Sequence, residues 1–236
     1  MGRLLHAERY KLFHDKIFLI TLVIVVAVNM IIVSGNATFG MSGSKVLPEI
    51  MRKEIFTILI SCIYGGLFIG SDFTDRTLYH GLMTGKSRIA VLFTKAGIYF
   101  LATDAILFIF PLLLAIFCTA RNGWGTLLPA NGFHMIGIVV ALLVLGFAVG
   151  AFSLLAAVCF RDVGRTIGIP ILLYFVMILL LNSSYSAALA RILPVGIMVL
   201  LVNNTVSSAY GILLGIIWTV ALFLVSALIF RRAELR

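Results

Sequence analysis

Long apolar runs separated by short polar connections set the pattern of this chain. The runs cover residues 17–33, 55–70, 96–118, 135–160, 166–181 and 210–230. A helix needs about 20 predominantly apolar residues to cross a bilayer, so six spans are predicted. The runs of 16 or 17 residues are short for a crossing, since at about 1.5 Å per residue they reach only about 25 Å. They are therefore expected to extend into their polar flanks. A seventh run, residues 192–202, is interrupted by Pro194 and Gly196 and reads as a re-entrant or interfacial piece. The first run is preceded by a segment containing Glu8 and Asp15, is long for a signal h-region and lacks an A-x-A site, so it is expected to be a retained span.

Composition agrees with this pattern. Of 236 residues, 62% are hydrophobic and 11% charged, with mean hydropathy +1.16. Soluble domains are nearer a quarter charged, and disordered chains are poor in apolar residues. The expected fold is all-α: a single transmembrane domain over 1–236 with six membrane helices, an N-terminal interfacial helix and a cytoplasmic helix within residues 71–95.

The formal charge of +9 comes from 18 Lys and Arg against 9 Asp and Glu. Nucleic acid, an acidic surface or membrane topology would each explain it, and position separates them. Placing the N-terminus inside puts Arg3, Arg9, Lys11, Lys16, Arg76, Lys86, Arg88, Lys95, Arg161, Arg165, Arg231, Arg232 and Arg236 on the cytoplasmic side. Lys45, Arg52, Lys53, Arg121 and Arg191 fall opposite, a split of 13 to 5. Positive residues favour the cytoplasmic side, so both termini are predicted to be cytoplasmic, with the basic excess meeting anionic lipid. No nucleic-acid partner is then required.

Few residues suggest chemistry. Cys62, Cys118 and Cys159 lie in apolar stretches without C-x-x-C spacing, and His6, His14, His80 and His134 lie in separate segments. Neither a zinc site nor a disulfide scaffold is expected, and no catalytic arrangement emerges. Thr84-Gly85-Lys86-Ser87 looks like the end of a phosphate-binding loop, but that loop requires a glycine at position 80, where His80 stands, and a preceding strand. This chain is thus expected to bind no cofactor and to be no enzyme by itself.

The connection after the second run is longer than a turn requires. Thr74 or Asp75 is suited to cap a short helix with Leu78, Leu82 and Met83 on one side; Gly85 would end it and Ser87 would cap the third span. A plain amphipathic loop and a docking element are both open readings. Ala7, Tyr10, Phe13 and Ile17 form a stripe at helical spacing, with Arg9, Lys11 and Lys16 able to reach head groups. The alternative is a basic tail that only sets topology. Asp104 is the one acid placed inside the hydrocarbon, nine residues beyond Lys95 and roughly 13 Å deeper. Such a group reads either as a contact for a cationic substrate or a proton-linked switch, or as a structural group bonded to a neighbouring helix. Asn29 offers the same choice between a helix bridge and a path residue. The pairs Gly66/Gly70, Gly146/Gly150 and Gly211/Gly215 suit close packing within the chain. Pro111 is expected to kink the third span and Pro170 to occupy the first turn of the fifth. Polar stretches 182–186 and 203–208 read as an external lid or funnel.

Asp72-Phe73-x-x-Arg76-Thr77-Leu78, Leu82-x-x-Gly85-x-Ser87-Arg88 and then Lys95 together resemble the cytoplasmic segment of ABC-2 type permeases, the membrane subunits of ABC exporters. Ala7-Glu8-Arg9-Tyr10-Lys11-Leu12-Phe13 followed by Lys16 resembles that family's lead-in helix. Asp72 replaces the more usual Glu, Arg76 stands where Gly is common, and Gly85 takes a place often held by Pro, as in the bacitracin-resistance and lantibiotic-immunity branch. The resemblance spans the chain and rests on these degenerate motifs in combination. It implies a permease subunit of a bacterial ABC exporter in the plasma membrane, acting on an antimicrobial peptide or other membrane-active compound. It further implies a separate ATPase subunit, present as a dimer and carrying ATP and Mg, and a second permease chain, identical or different. The coupling residues would be Asp72, Phe73, Arg76, Thr77, Leu78, Gly85, Ser87 and Arg88. Asn29, Tyr64, Asp104 and Tyr174 would serve the substrate path. A secondary transporter, or an assembly or sensory membrane subunit, is the alternative; the absence of a repeat between the halves weighs against the former.

The orientation is checked by labelling single cysteines. Ser87→Cys is expected to react with impermeant reagent only from the cytoplasmic side, and Ser44→Cys only from the opposite side.

Overall fold

The computed structural model describes residues 2–34, 37–51, 55–75, 77, 87–125, 128–183 and 186–232. It is about 90% helical, without strands among these residues. Six helices are long and apolar enough to cross a membrane. They are the first span Lys16–Ser34, second Phe56–Thr74, third Arg88–Asn122, fourth Met135–Phe160, fifth Val163–Leu181 and sixth Ser208–Arg232. A lead-in helix, Gly2–His14, precedes them.

All six predicted runs correspond to these helices, and the short ones extend into polar flanks as expected. The largest difference lies at the predicted 71–95 segment. Residues 71–74 continue the second span and 88–95 belong to the third, leaving a shorter connection of which 76 and 78–86 lie outside the described residues. The expected helix with Leu78, Leu82 and Met83, and its end at Gly85, therefore fall outside the description. Ser87 does cap the third span: its side chain accepts a hydrogen bond from the Ala90 N–H at 3.3 Å, satisfying a donor the helix start leaves free.

The second span is not uniformly α-helical. Gly66–Gly70 forms a π turn, closed by the Ser71 N–H on the Gly66 carbonyl. The widened turn rotates the residues that follow relative to a straight helix. Gly66 and Gly70 pack against Val163, Thr166 and Ile167 of the fifth span. Gly146 and Gly150 face Asp104, Phe100 and Thr103 of the third, while Gly211 and Gly215 face Leu201, Ala141 and Val144. All three pairs are thus seams within the chain, where a missing side chain lets helices approach.

The fourth and fifth spans are joined by a tight turn. Arg161 adopts φ 52°, and the Asp162 side chain caps the fifth span by accepting from the Arg165 N–H at 2.9 Å. Since that helix begins at Val163, Pro170 lies well inside it, not in the first turn as its position in the apolar run suggested. The seventh run forms the short helix Pro194–Val202 with proline in its first turn. Ile197 and Leu201 are fully buried in a core shared with the fourth span. The sixth span fastens the approach to it: Trp218 Nε1 donates to the Ile192 carbonyl at 2.8 Å and the Tyr210 hydroxyl to that of Arg191 at 2.9 Å.

Gly66→Val is expected to lower stability by about 1–3 kcal/mol through overpacking, because its side chain meets Ile167. Gly97→Ala, with nothing within 4 Å, is expected to change little. Thermal unfolding in one detergent compares the two.

Candidate functional site

The lead-in helix presents two faces. Leu12 is buried and Leu4 packs beside it on the bundle core, although both lie off the apolar stripe seen in the sequence. Tyr10 and Phe13, within that stripe, are 60% and 65% exposed. The stripe points away from the bundle, as suits contact with lipid, while Leu4, Glu8, Lys11 and Leu12 turn toward the spans.

Those two polar residues meet the ends of the second and third spans. Asp72 is 4% and Lys95 1% exposed. Lys95 Nζ is ion-paired with Asp72 Oδ2 and lies 3.3 Å from Glu8 Oε2. Lys11 Nζ donates to Asp72 Oδ1 at 2.6 Å, and the Thr77 hydroxyl donates to the same oxygen at 2.6 Å. The Phe68 ring underlies both cations, with Lys95 Nζ 4.8 Å and Lys11 Nζ 5.5 Å from its centroid. Two carboxylates, two ammonium groups, one hydroxyl and one aromatic face compensate one another, with Asp72, Lys95 and Phe68 buried and Lys11 and Thr77 on the exposed side.

Helical spacing assembles the cluster. Tyr64, Phe68 and Asp72 recur at four-residue intervals on the second span, and Lys95 and Tyr99 do so on the third. Tyr64 stacks with Phe68 at 5.5 Å and Tyr99 at 6.5 Å, and Phe68 with Tyr99 at 6.3 Å. An aromatic ladder thus leads from the interior to the ions. The signal was present as the i, i+4 recurrence on two separate runs, but nothing in one dimension says that those two faces meet.

Of the predicted coupling residues, Asp72, Phe73, Thr77, Ser87 and Arg88 have described side chains. Phe73 is buried against Phe230 of the sixth span, with ring centroids 6.0 Å apart. Arg88 donates to the Arg231 carbonyl at 3.2 Å. These residues brace the lead-in helix and the ends of the second, third and sixth spans; only Thr77 and Ser87 are exposed. Arg76, Leu78 and Gly85 have no described side chains.

The predicted path residues are not gathered in one place. Asn29 bridges helices, its amide donating to the Val25 carbonyl at 3.0 Å and the Thr57 hydroxyl oxygen at 2.9 Å. Tyr64 belongs to the aromatic ladder. Tyr174 borders a cavity of about 20 Å³ with Ile58, Cys62, Val149 and Pro194 among its walls, space on the scale of a single water. Asp104 is 7% exposed and faces Gly146. The structural expectation for Asp104 included a partner on a neighbouring helix, yet no donor meets its Oδ1 among the described residues. A larger groove of about 660 Å³ lies elsewhere, between the short helix Gly43–Met51 and the third and fourth spans. Its lining, which includes Leu47, Ile116, Trp124 and Ile136, is almost wholly apolar. Among the described residues there is no group of three or more His, Cys, Asp or Glu suited to a metal ion. No protein-family model matches the chain, and no curated protein matches it.

Removing one partner from a buried ion pair costs on the order of 3–5 kcal/mol, whereas replacing both by apolar groups is often neutral. Asp72→Ala is therefore expected to destabilise the protein strongly. The double variant Asp72→Leu/Lys95→Met is expected to recover most of the loss in thermal unfolding.

Proposed function

We propose that this chain is the membrane permease subunit of a bacterial ABC exporter of the ABC-2 class, set in the plasma membrane with both termini in the cytoplasm. The observation that carries the reading is the buried ion cluster. It ties an amphipathic lead-in helix to both ends of the connection between the second and third spans, the connection that resembles the family's ATPase-docking segment. Force applied there by a partner reaches the lead-in helix and three spans through short contacts. In this reading a dimeric ATPase subunit binds ATP and Mg, and its closure shifts two permease chains between inward-open and outward-open states through differential contacts. The exposed residues Thr77 and Ser87, with Arg88, supply the docking side, while Asp72 positions the connection from within. The cargo is a membrane-active compound such as an antimicrobial peptide. The unequal distribution of Lys and Arg supports the orientation, and the six apolar helices supply the material for a pathway.

Affinity purification of the chain from its native membrane is expected to bring down a soluble ATPase bound at the cytoplasmic face. Arg88→Ala is expected to retain membrane insertion while weakening stimulation of that ATPase by cargo. Transport driven solely by an ion gradient, with no ATPase bound, would assign the chain to the secondary carriers instead.

A further inference from the structure

Asp104 lies in a seam between the second, third and fourth spans that the coupling cluster does not use. Its Oδ1 faces Gly146, and a methyl group at that glycine would collide with the oxygen. Farther along the same seam, Gly150 packs against Thr103, Phe100 and Tyr99, while Gly65 packs against Tyr99 and Ser153. The Tyr64 hydroxyl is buried there without a hydrogen-bond partner among the described residues, as is Asp104 Oδ1. Thr103 is committed, donating to the Tyr99 carbonyl at 3.0 Å.

Among the described residues, no compensating charge lies beside Asp104. The titratable neighbours along the seam are Cys62 and Tyr64 of the second span and Tyr99 of the third, all neutral in their ordinary state. The fourth span contributes Gly146, Gly150 and Ser153. Lys16, Arg231 and Arg232 sit at the ends of the first and sixth spans, Arg165 near the start of the fifth, and Arg88 and Arg121 at the ends of the third. Lys95 is nine residues away on the same helix and engaged with Asp72 and Glu8. A charged carboxylate here would lose hydration at Oδ1 with no donor to that oxygen among the described residues in exchange, which apolar surroundings penalise heavily. The glycine contact also leaves little room for an organic cation.

We propose that Asp104 is a proton-binding site, neutral while the third and fourth spans are packed together and releasing its proton to water only when the seam at Gly146 opens. Separation of these spans is then linked to proton release, so alkaline conditions favour the opened seam and acidic conditions the closed one. The inference rests on the helices lying in a bilayer and not on an exporter role.

Infrared difference spectroscopy of wild-type and Asp104→Asn protein in lipid vesicles tests the site directly, because the amide is close to isosteric. A protonated-carboxyl carbonyl band at neutral pH that is missing from the variant is expected. A difference made only of carboxylate bands, as for an aspartate bound to a metal cation or to water, overturns the proposal. The linkage is read from alkylation of native Cys62 by a permeant maleimide, with Cys118 and Cys159 replaced by alanine. Reactivity is expected to rise several-fold more with pH in wild type than in Asp104→Asn. Identical pH profiles overturn the link to opening, since the chemistry of the thiol itself is common to both proteins.

Discussion

A buried ion pair dictates how the terminus-bearing end of this helical bundle is built. Lys95 cannot stay charged at 1% exposure without a carboxylate, and Asp72 cannot stay charged without a cation, because removing ions from water costs more than most single contacts return. Each therefore fixes the other. The second and third spans must present these residues face to face, and the lead-in helix must lie where Glu8 and Lys11 complete the neutralisation. The π turn and the Phe68 ring belong to the same solution: the turn alters the rotation of the second span before Asp72, and the ring offers its negative face to both ammonium groups.

The rest of the bundle is held by close approach. Glycine pairs on the second and fourth spans meet side chains of the fifth and third respectively, and the pair on the sixth meets the fourth span and Leu201 of the short helix. Contact of this kind, with buried hydrogen bonds such as Asn29 to Thr57, is how apolar helices associate in a bilayer, where the hydrophobic effect supplies little attraction. The outer faces are apolar, with Ile31, Leu172, Leu179 and Leu228 among the large exposed side chains. The ion cluster contrasts with this dispersion-held interior. It concentrates strong, directional contacts where the second and third spans and the lead-in helix converge.

The proposed coupling and path residues divide accordingly. Asp72, Phe73 and Arg88 brace the helices they touch. Asn29 and Tyr64 are packing elements in this conformation, and Tyr174 borders only a small cavity. Asp104 differs from all of them, as its Oδ1 is a buried acid oxygen that meets no donor among the described residues. The π turn, the ion cluster and the seam at Asp104 lie along the third span and its neighbours, so rearrangement at one end of that helix can be felt at the other.

By itself the sequence determined the number and positions of the spans, because hydrocarbon forces each crossing to be a long apolar helix whose backbone bonds are internal. It also determined the cap at Ser87, a local matter of one oxygen and one N–H. Helix limits and partners were decided by tertiary structure. Residues 71–74 and 88–95 joined the spans because Asp72 and Lys95 neutralise each other there; Pro170 became interior once Asp162 capped the helix ahead of it; and the lead-in helix buried Leu4 and Leu12 in preference to its apolar stripe, since lipid accepts the stripe while the bundle needs Glu8 and Lys11. Of those two leucines, Leu12 is buried and Leu4 partly so. Periodicity specifies which residues share a face of one helix. Which two faces meet depends on charge compensation and on the fit of side chains into glycine gaps, and those are properties of pairs of helices that a linear pattern does not contain.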